Sequence, residues 1–201
     1  MGKLLRAVRN VTVTAGAIGV AGVWYRKRAE RLLSLRAQTV LVTGAGSGIG
    51  RLLAIGSAQR GAAHIVVWDI DEYAAQEVVQ EIVALGVDAS YDVVDITSDE
   101  SVDAAGHTVR ERIGSIDFLV NNAGVVTGKA FLDQNHEDVE RTFQVNALAL
   151  YRVTRQFLPG MLNNRFGSVT VISSAAAFTG VARQTDYAAS KWAALGFTES
   201  L

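Results

Sequence analysis

The 201-residue chain has no cysteine. That excludes a disulfide scaffold, cysteine-ligated zinc, a thiolate nucleophile and an iron–sulfur cluster, and it agrees with a reducing compartment. Proline occurs once, at Pro159. Charge of one sign is not in excess either. Nineteen basic residues face twenty acidic ones, so global charge gives no case for a nucleic-acid partner, and none is expected. Internal repeats and low-complexity linkers are absent. The three histidines, His64, His107 and His136, lie far apart with no metal-ligand spacing, so no metal site is expected. What is present is apolar: 49% of residues are hydrophobic and 19% charged. That is too apolar for disorder and enough for one core.

The charge balance averages two unlike pieces. Residues 1–36 hold eight basic residues and one acidic residue, Glu30, which leaves eleven basic and nineteen acidic residues in 37–201. Within this leader, Val11 to Tyr25 is an uncharged apolar stretch of fifteen residues, short of the roughly 20 a full membrane span needs. Trp24 and Tyr25 close it beside Arg26-Lys27-Arg28, as an interfacial aromatic belt with a basic flank would. Three readings fit: a membrane-associating helix, a signal peptide, and a soluble N-terminal helix. The flanks favour the first. The basic bias then places the following domain on the cytoplasmic side, a soluble cytoplasmic protein being the alternative.

From Thr39 onward, short β-branched runs alternate with helical-period segments. Strands are expected at 39–43, 64–69, 89–94, 116–122 and 167–174, and helices at 48–60, 71–85, 98–113, 135–162 and 185–201. Thr97 and Ser98 lead into Asp99-Glu100, a start suited to a helix N-terminus. Near-continuous apolar strands alternating with helices imply an α/β fold: a Rossmann-like, doubly wound parallel sheet covered on both faces.

The first strand runs into TGAGSGIG (43–50) and then a helix. Gly44, Gly48 and Gly50, with Ser47 and Ile49 between them, would let backbone approach a pyrophosphate held at the helix N-terminus. Asp69 ends the second strand, nineteen residues past Gly50. A carboxylate there can accept from both ribose hydroxyls and repels a 2′-phosphate, so the expected cofactor is NAD rather than NADP.

In order along the chain come TGAGSGIG, Asp95 after the third strand, NNAG (121–124), Asn146, Ser174 and YAASK (187–191). On these motifs residues 37–201 resemble a single-domain short-chain dehydrogenase/reductase. The resemblance implies that Asp95 and the backbone of Ile96 hold the adenine. It further implies that Asn121, Asn122, Ala123 and Gly124 stabilise the central strand and line the cofactor cleft. Two stretches, 121–133 and 181–201, are similar to membrane-associated retinol and 17β-hydroxysteroid dehydrogenases. They imply a small lipophilic alcohol or carbonyl substrate.

Tyr187 and Lys191 are four residues apart, so on a helix they project from one face. A free tyrosine, with a pKa of about 10, is a poor base near neutrality. A nearby ammonium favours the phenolate and makes proton transfer feasible. Ser174, thirteen residues before Tyr187, can hydrogen-bond the substrate oxygen; Ser173 points oppositely by strand alternation. The resemblance adds Asn146 as support for a water-mediated proton relay to Lys191, and gives Lys191 the nicotinamide ribose. The catalytic set expected is therefore Asn146, Ser174, Tyr187 and Lys191, serving hydride transfer between alcohol and carbonyl. Two rivals are a nucleotide-binding scaffold without turnover and a sugar-nucleotide epimerase or dehydratase of the extended branch, whose glycine spacing usually differs.

Relatives of this kind use about 250 residues for one α/β domain, whereas some 165 follow the leader here. About five strands of an expected seven are therefore anticipated. A Pro-Gly segment for the nicotinamide carboxamide and a substrate-covering loop should be missing. On this reading the chain is a fragment, short isoform or incomplete gene model that alone binds NAD poorly and turns over little. The fifth strand would form an exposed edge, and helices 135–162 and 185–201 would pair across a twofold axis in a homodimer.

Overall fold

The computed structural model describes residues 35–201, so the readings made for residues 1–34 lie outside it. Five strands form one sheet: β1 (Thr39–Thr43), β2 (His64–Asp69), β3 (Asp88–Val93), β4 (Phe118–Asn121) and β5 (Ser168–Val171). Their order is β3-β2-β1-β4-β5, and every pairing is parallel. The order reverses between β1 and β4, the kind of switch point at which open α/β sheets bind ligands beyond their carboxyl ends.

The helices are α1 (Gly48–Gln59), α2 (Glu72–Ala84), α3 (Asp99–Ile113), α4 (His136–Phe143), α5 (Ala149–Asn164) and α6 (Thr185–Ser200). Strand alternation divides the core between the two faces of the sheet. Val40, Val42, Ile65 and Val67 pack against Ala54 and Ala58 of α1 and Ala75, Val78 and Ile82 of α2. Leu41, Val66, Trp68 and Leu119 face the other way, onto Val102 and Val109 of α3 and Val153, Phe157 and Met161 of α5. Alanines on the inner side of α1 let that helix lie close to the strand feeding it. Among the described residues no helix is long and apolar enough to cross a membrane.

The ladder is shorter than expected at two strands. Beyond Val171 only the Ile172 N–H bonds to Asn121 O, at 2.9 Å, before the chain turns through a 3₁₀ segment at Ala175–Ala177. Residues 172–174 therefore leave the sheet to form its rim. The single helix expected over 135–162 is two helices joined by a π segment, Gln144–Leu148. Such a wider turn is an insertion that re-aims side chains. Here it carries Asn146. The helix starts are secured locally: Asp71 caps α2, Ser98 caps α3, and Asn135 with Asp138 forms a capping box on α4. Thr97 has another task, donating to Asp95 Oδ1 through both its N–H and its hydroxyl.

Phe157 is buried beneath the fully enclosed Trp68, with ring centroids 5.4 Å apart. Phe157→Ala should lower unfolding free energy by about 3–5 kcal/mol, read as a lower urea midpoint with an unchanged slope.

Candidate active site

Over the carboxyl ends of β1 and β4 lies a cleft of about 760 Å³. Its floor is the turn between β1 and α1. Gly44 and Gly48 have φ of +62° and +53°, a left-handed conformation that favours glycine. At Gly50 the reason is space, since an added Cβ would lie 2.1 Å from Gly44 O and 2.5 Å from Asn122 Nδ2. Ser47, the residue before α1, makes no side-chain cap bond, and the first turn holds no acidic residue. The helix therefore meets the cleft with its positive end open, as an anionic group requires.

Asp69 does more than end β2. Its Oδ2 accepts from Gly46 N–H at 2.7 Å and its Oδ1 from Asp71 N–H at 3.1 Å. The carboxylate is thus held against the glycine turn. Gly46, not singled out in the sequence, owes its identity to this contact, because a Cβ there would sit 2.9 Å from Asp69 Oδ2 and from Ala74 Cβ. The signal was present as a fourth glycine in the loop opposite an acid at a strand end. Arg51, the cation next to the turn, is bound by both oxygens of Glu81.

Asp95 and Ile96 line the cleft with Asn122, Ala123 and Gly124. Asn122 Nδ2 donates to Thr43 O and Gly44 O, while Thr43 Oγ1 accepts from the N–H groups of Asn122 and Ala123. These bonds fasten the NNAG loop to the end of β1. Asn121 departs from expectation. Its buried side chain points away from the cleft and donates to Thr154 Oγ1 on α5 at 3.2 Å, because its neighbour Asn122 takes the other face of the strand.

Tyr187 and Lys191 both line the cleft from α6, with the ammonium 5.7 Å from the tyrosine ring centroid. Lys191 is buried and donates to Ile172 O at 2.9 Å. Among the described residues no carboxylate hydrogen-bonds to it, and burial holds its pKa below that of an ordinary lysine. The π segment turns Asn146 inward. Its Oδ1 accepts from Val125 N–H at 2.8 Å, and its Nδ2 donates to Val125 O and to Ser190 Oγ. Ser190, which the sequence reading missed, donates in turn to Tyr187 O at 2.7 Å.

The two serines at the end of β5 differ in what their protons do. Ser173 lines the cleft and donates to Lys191 O at 3.3 Å. Ser174, against expectation, is not among the residues that line the cleft; it accepts from Ala176 N–H at 3.2 Å, which leaves its hydroxyl hydrogen free to donate. Far from the cleft chemistry, His64 bonds Ser90 Oγ and His107 pairs with Glu111. Together the open helix end, the glycine cradle, and Asp69 and Asp95 fit a dinucleotide. A tyrosine beside a buried ammonium fits proton transfer.

A sequence model of the short chain dehydrogenase family matches residues 38–201. Human epidermal retinol dehydrogenase 2 is 42% identical over 167 residues, covering 82% of this chain and 53% of the relative. Estradiol 17-beta-dehydrogenase 11 of Pongo abelii is 39% identical over 173 residues, covering 86% of this chain and 57% of the relative. One solved structure, a 7α-hydroxysteroid dehydrogenase complexed with NADH and 7-oxo glycochenodeoxycholic acid, is 37% identical. Its TM-score is 0.78 over 82% of this chain and 64% of that one. The chain spans about half to two thirds of the length of the curated relatives it matches.

Burial of Lys191 has a consequence for stability. Its folded pKa lies below the unfolded one, so below the folded value the ammonium costs the fold free energy. Stability then rises with pH through the window up to the ordinary lysine pKa. Lys191→Met, of similar length and without charge, should raise the stability at neutral pH by about 0.5–2 kcal/mol. It should also remove that alkaline rise. Urea midpoints of both proteins across pH 7–10.5 read the two effects.

Proposed function

The chain belongs to the short-chain dehydrogenase/reductase family, and on that premise we propose that it is an NAD-dependent oxidoreductase interconverting an alcohol and a carbonyl. The observation that carries this reading is Tyr187 in the cofactor cleft beside a buried lysine that no carboxylate bonds. The dinucleotide, when bound, supplies the hydride acceptor or donor. Its pyrophosphate would rest on the turn at Gly44, Ser47, Gly48, Ile49 and Gly50, and its adenine beside Asp95 and Ile96. Asn122, Ala123 and Gly124 would form the wall, with Lys191 at the nicotinamide ribose.

The chain's own part is proton chemistry. Tyr187 takes the proton from the alcohol oxygen or returns it to the carbonyl oxygen. Lys191 favours the phenolate by its charge, and that effect is strong because the ammonium is removed from water. Ser174 orients the substrate oxygen with its free hydroxyl hydrogen. Ser173 is less suited, since its proton is committed to Lys191 O. Asn146 acts through position, holding Val125 and Ser190 on either side of the site and supporting a water-mediated relay to Lys191.

Asp69 supports NAD as the cofactor, and so does the pairing of Arg51 with Glu81, which occupies the nearby guanidinium. A lipophilic substrate of retinol or steroid type is supported by the names of the relatives. The basic, apolar segment of residues 1–36 supports uptake from a membrane surface, with the catalytic domain on the cytoplasmic side. Exposed Leu148, Tyr151 and Trp192 along the π segment, α5 and α6 support pairing of those helices in a homodimer.

Two measurements test the reading. Titration should show NAD binding at least about tenfold tighter than NADP, a difference of roughly 1.4 kcal/mol. Asp69→Ser should narrow that ratio; an unchanged ratio would remove Asp69 as its source. In a panel of retinoid and steroid alcohols with detergent, NADH formation should fall by about 10²–10⁴-fold in Tyr187→Phe, while NAD affinity is kept. Turnover retained by Tyr187→Phe would defeat the mechanism. NAD binding with no alcohol-dependent NADH in the unsubstituted protein would favour a scaffold.

A further inference from the structure

One buried charge has no part in the proton chemistry just described. Asp186 stands in the first turn of α6, next to Tyr187, and is 4% exposed. Its Oδ2 accepts from the hydroxyls of Thr127 and Thr142 at 2.8 and 2.7 Å, and its Oδ1 from Gln134 Nε2 at 2.8 Å. Burial alone would push this carboxyl up. The donors outweigh it and hold the pKa below that of an ordinary aspartate. Lys129 pairs with Asp138 instead, so the donors to Asp186 are neutral.

Those donors come from three places. Thr127 lies in the irregular segment that continues the cleft wall past Val125 and Val126. Gln134 precedes α4, and Thr142 lies within it. Asn146 already grips the same segment at Val125 through two hydrogen bonds. A carboxylate suits the second grip because it only accepts. An asparagine would turn an N–H₂ group toward a donor and leave a partner unmet.

We propose that Asp186 is a positioning residue: its carboxylate clamps segment 125–135 to the start of α6 and so fixes the cleft wall relative to Tyr187. The proposal rests on the oxidoreductase reading for its effect on substrate, but the clamp itself is measurable without turnover.

The test compares the full chain with Asp186→Asn and Thr142→Val by hydrogen exchange, NAD titration and alcohol kinetics. In Asp186→Asn, amides of 125–135 should lose protection at least about tenfold, while those of Leu41, Val66 and Leu119 in the sheet are unchanged. NAD affinity should stay within about twofold. Turnover should fall about tenfold or more, with KM for the alcohol raised. Thr142→Val should loosen the segment about threefold. The double variant should be no looser than Asp186→Asn alone, since both remove the same bond.

Uniform loss of protection across sheet and segment would overturn the proposal, as would additive effects of the two substitutions. So would a loosened segment with unchanged KM and kcat. Should Asp186→Asn fail to fold, Thr142→Val decides the matter by the same segment-against-sheet comparison. Absence of alcohol turnover in the unsubstituted chain would defeat the oxidoreductase reading, and segment protection would still decide the clamp.

Discussion

A buried ammonium without a carboxylate is the constraint around which this fold arranges its polar groups. Lys191 is 4% exposed, and Ile172 O at the rim of β5 accepts from it. Burying a charge in this way costs stability that a salt bridge would partly recover. A salt bridge would also neutralise the influence proposed for the ammonium on Tyr187. The surrounding structure is consequently polar but largely uncharged: Ser190, Asn146 and the backbone of Val125 form a hydrogen-bonded chain around the two residues. The π segment follows from the same need, because it turns Asn146 to reach Val125 and Ser190 at once.

The cofactor side obeys a different constraint, that of close backbone approach. Parallel strands β1 and β4 end side by side, and the loops leaving them lie in contact. Gly50 is required by lack of room, and Gly44 by room as well as by its positive φ: a Cβ on Gly44 would come within 2.8 Å of Ala123 Cα. Thr43 and Asn122 then lock the two loops by hydrogen bonds in both directions. Asp69 closes the far side of the turn through Gly46. Affinity for a dinucleotide would draw on N–H groups and shape, and Asp69 is the carboxylate proposed to select what sits on the ribose.

The sequence made the scaffold legible because periodicity reports burial directly. β1, β2 and the helix at 48–59 fall where alternation and glycine punctuation place them, and the motifs from Gly44 to Lys191 converge on one cleft apart from Gly50, Asn121, Asn146 and Ser174, which do not line it. What was hidden depends on contacts between distant segments. The π segment has no local signature, since Gln144–Leu148 reads as ordinary amphipathic helix. Asp186 looks like a helix-start acid until Thr127 and Thr142, 59 and 44 residues away, are seen to converge on it. Ser173 and Ser174 are both hydroxyls at a strand end, and only the partners of each reveal which proton is free.

One spacing makes these arrangements compatible. Asp186 and Lys191 are a buried anion and a buried cation five residues apart on one helix. At about 100° per residue they project about 140° from one another. Positions three or four apart would bring them into contact, and the pair would quench the charge that Tyr187 is proposed to use. Separation by five keeps the anion facing Thr127, Gln134 and Thr142 while the cation faces the cleft. Tyr187, four residues before Lys191, shares the cation's side. The helix thus keeps apart the charge proposed to clamp the cleft wall and the one proposed to act on Tyr187. Its register, more than any single residue, allows both to be buried in the same turn and a half of chain.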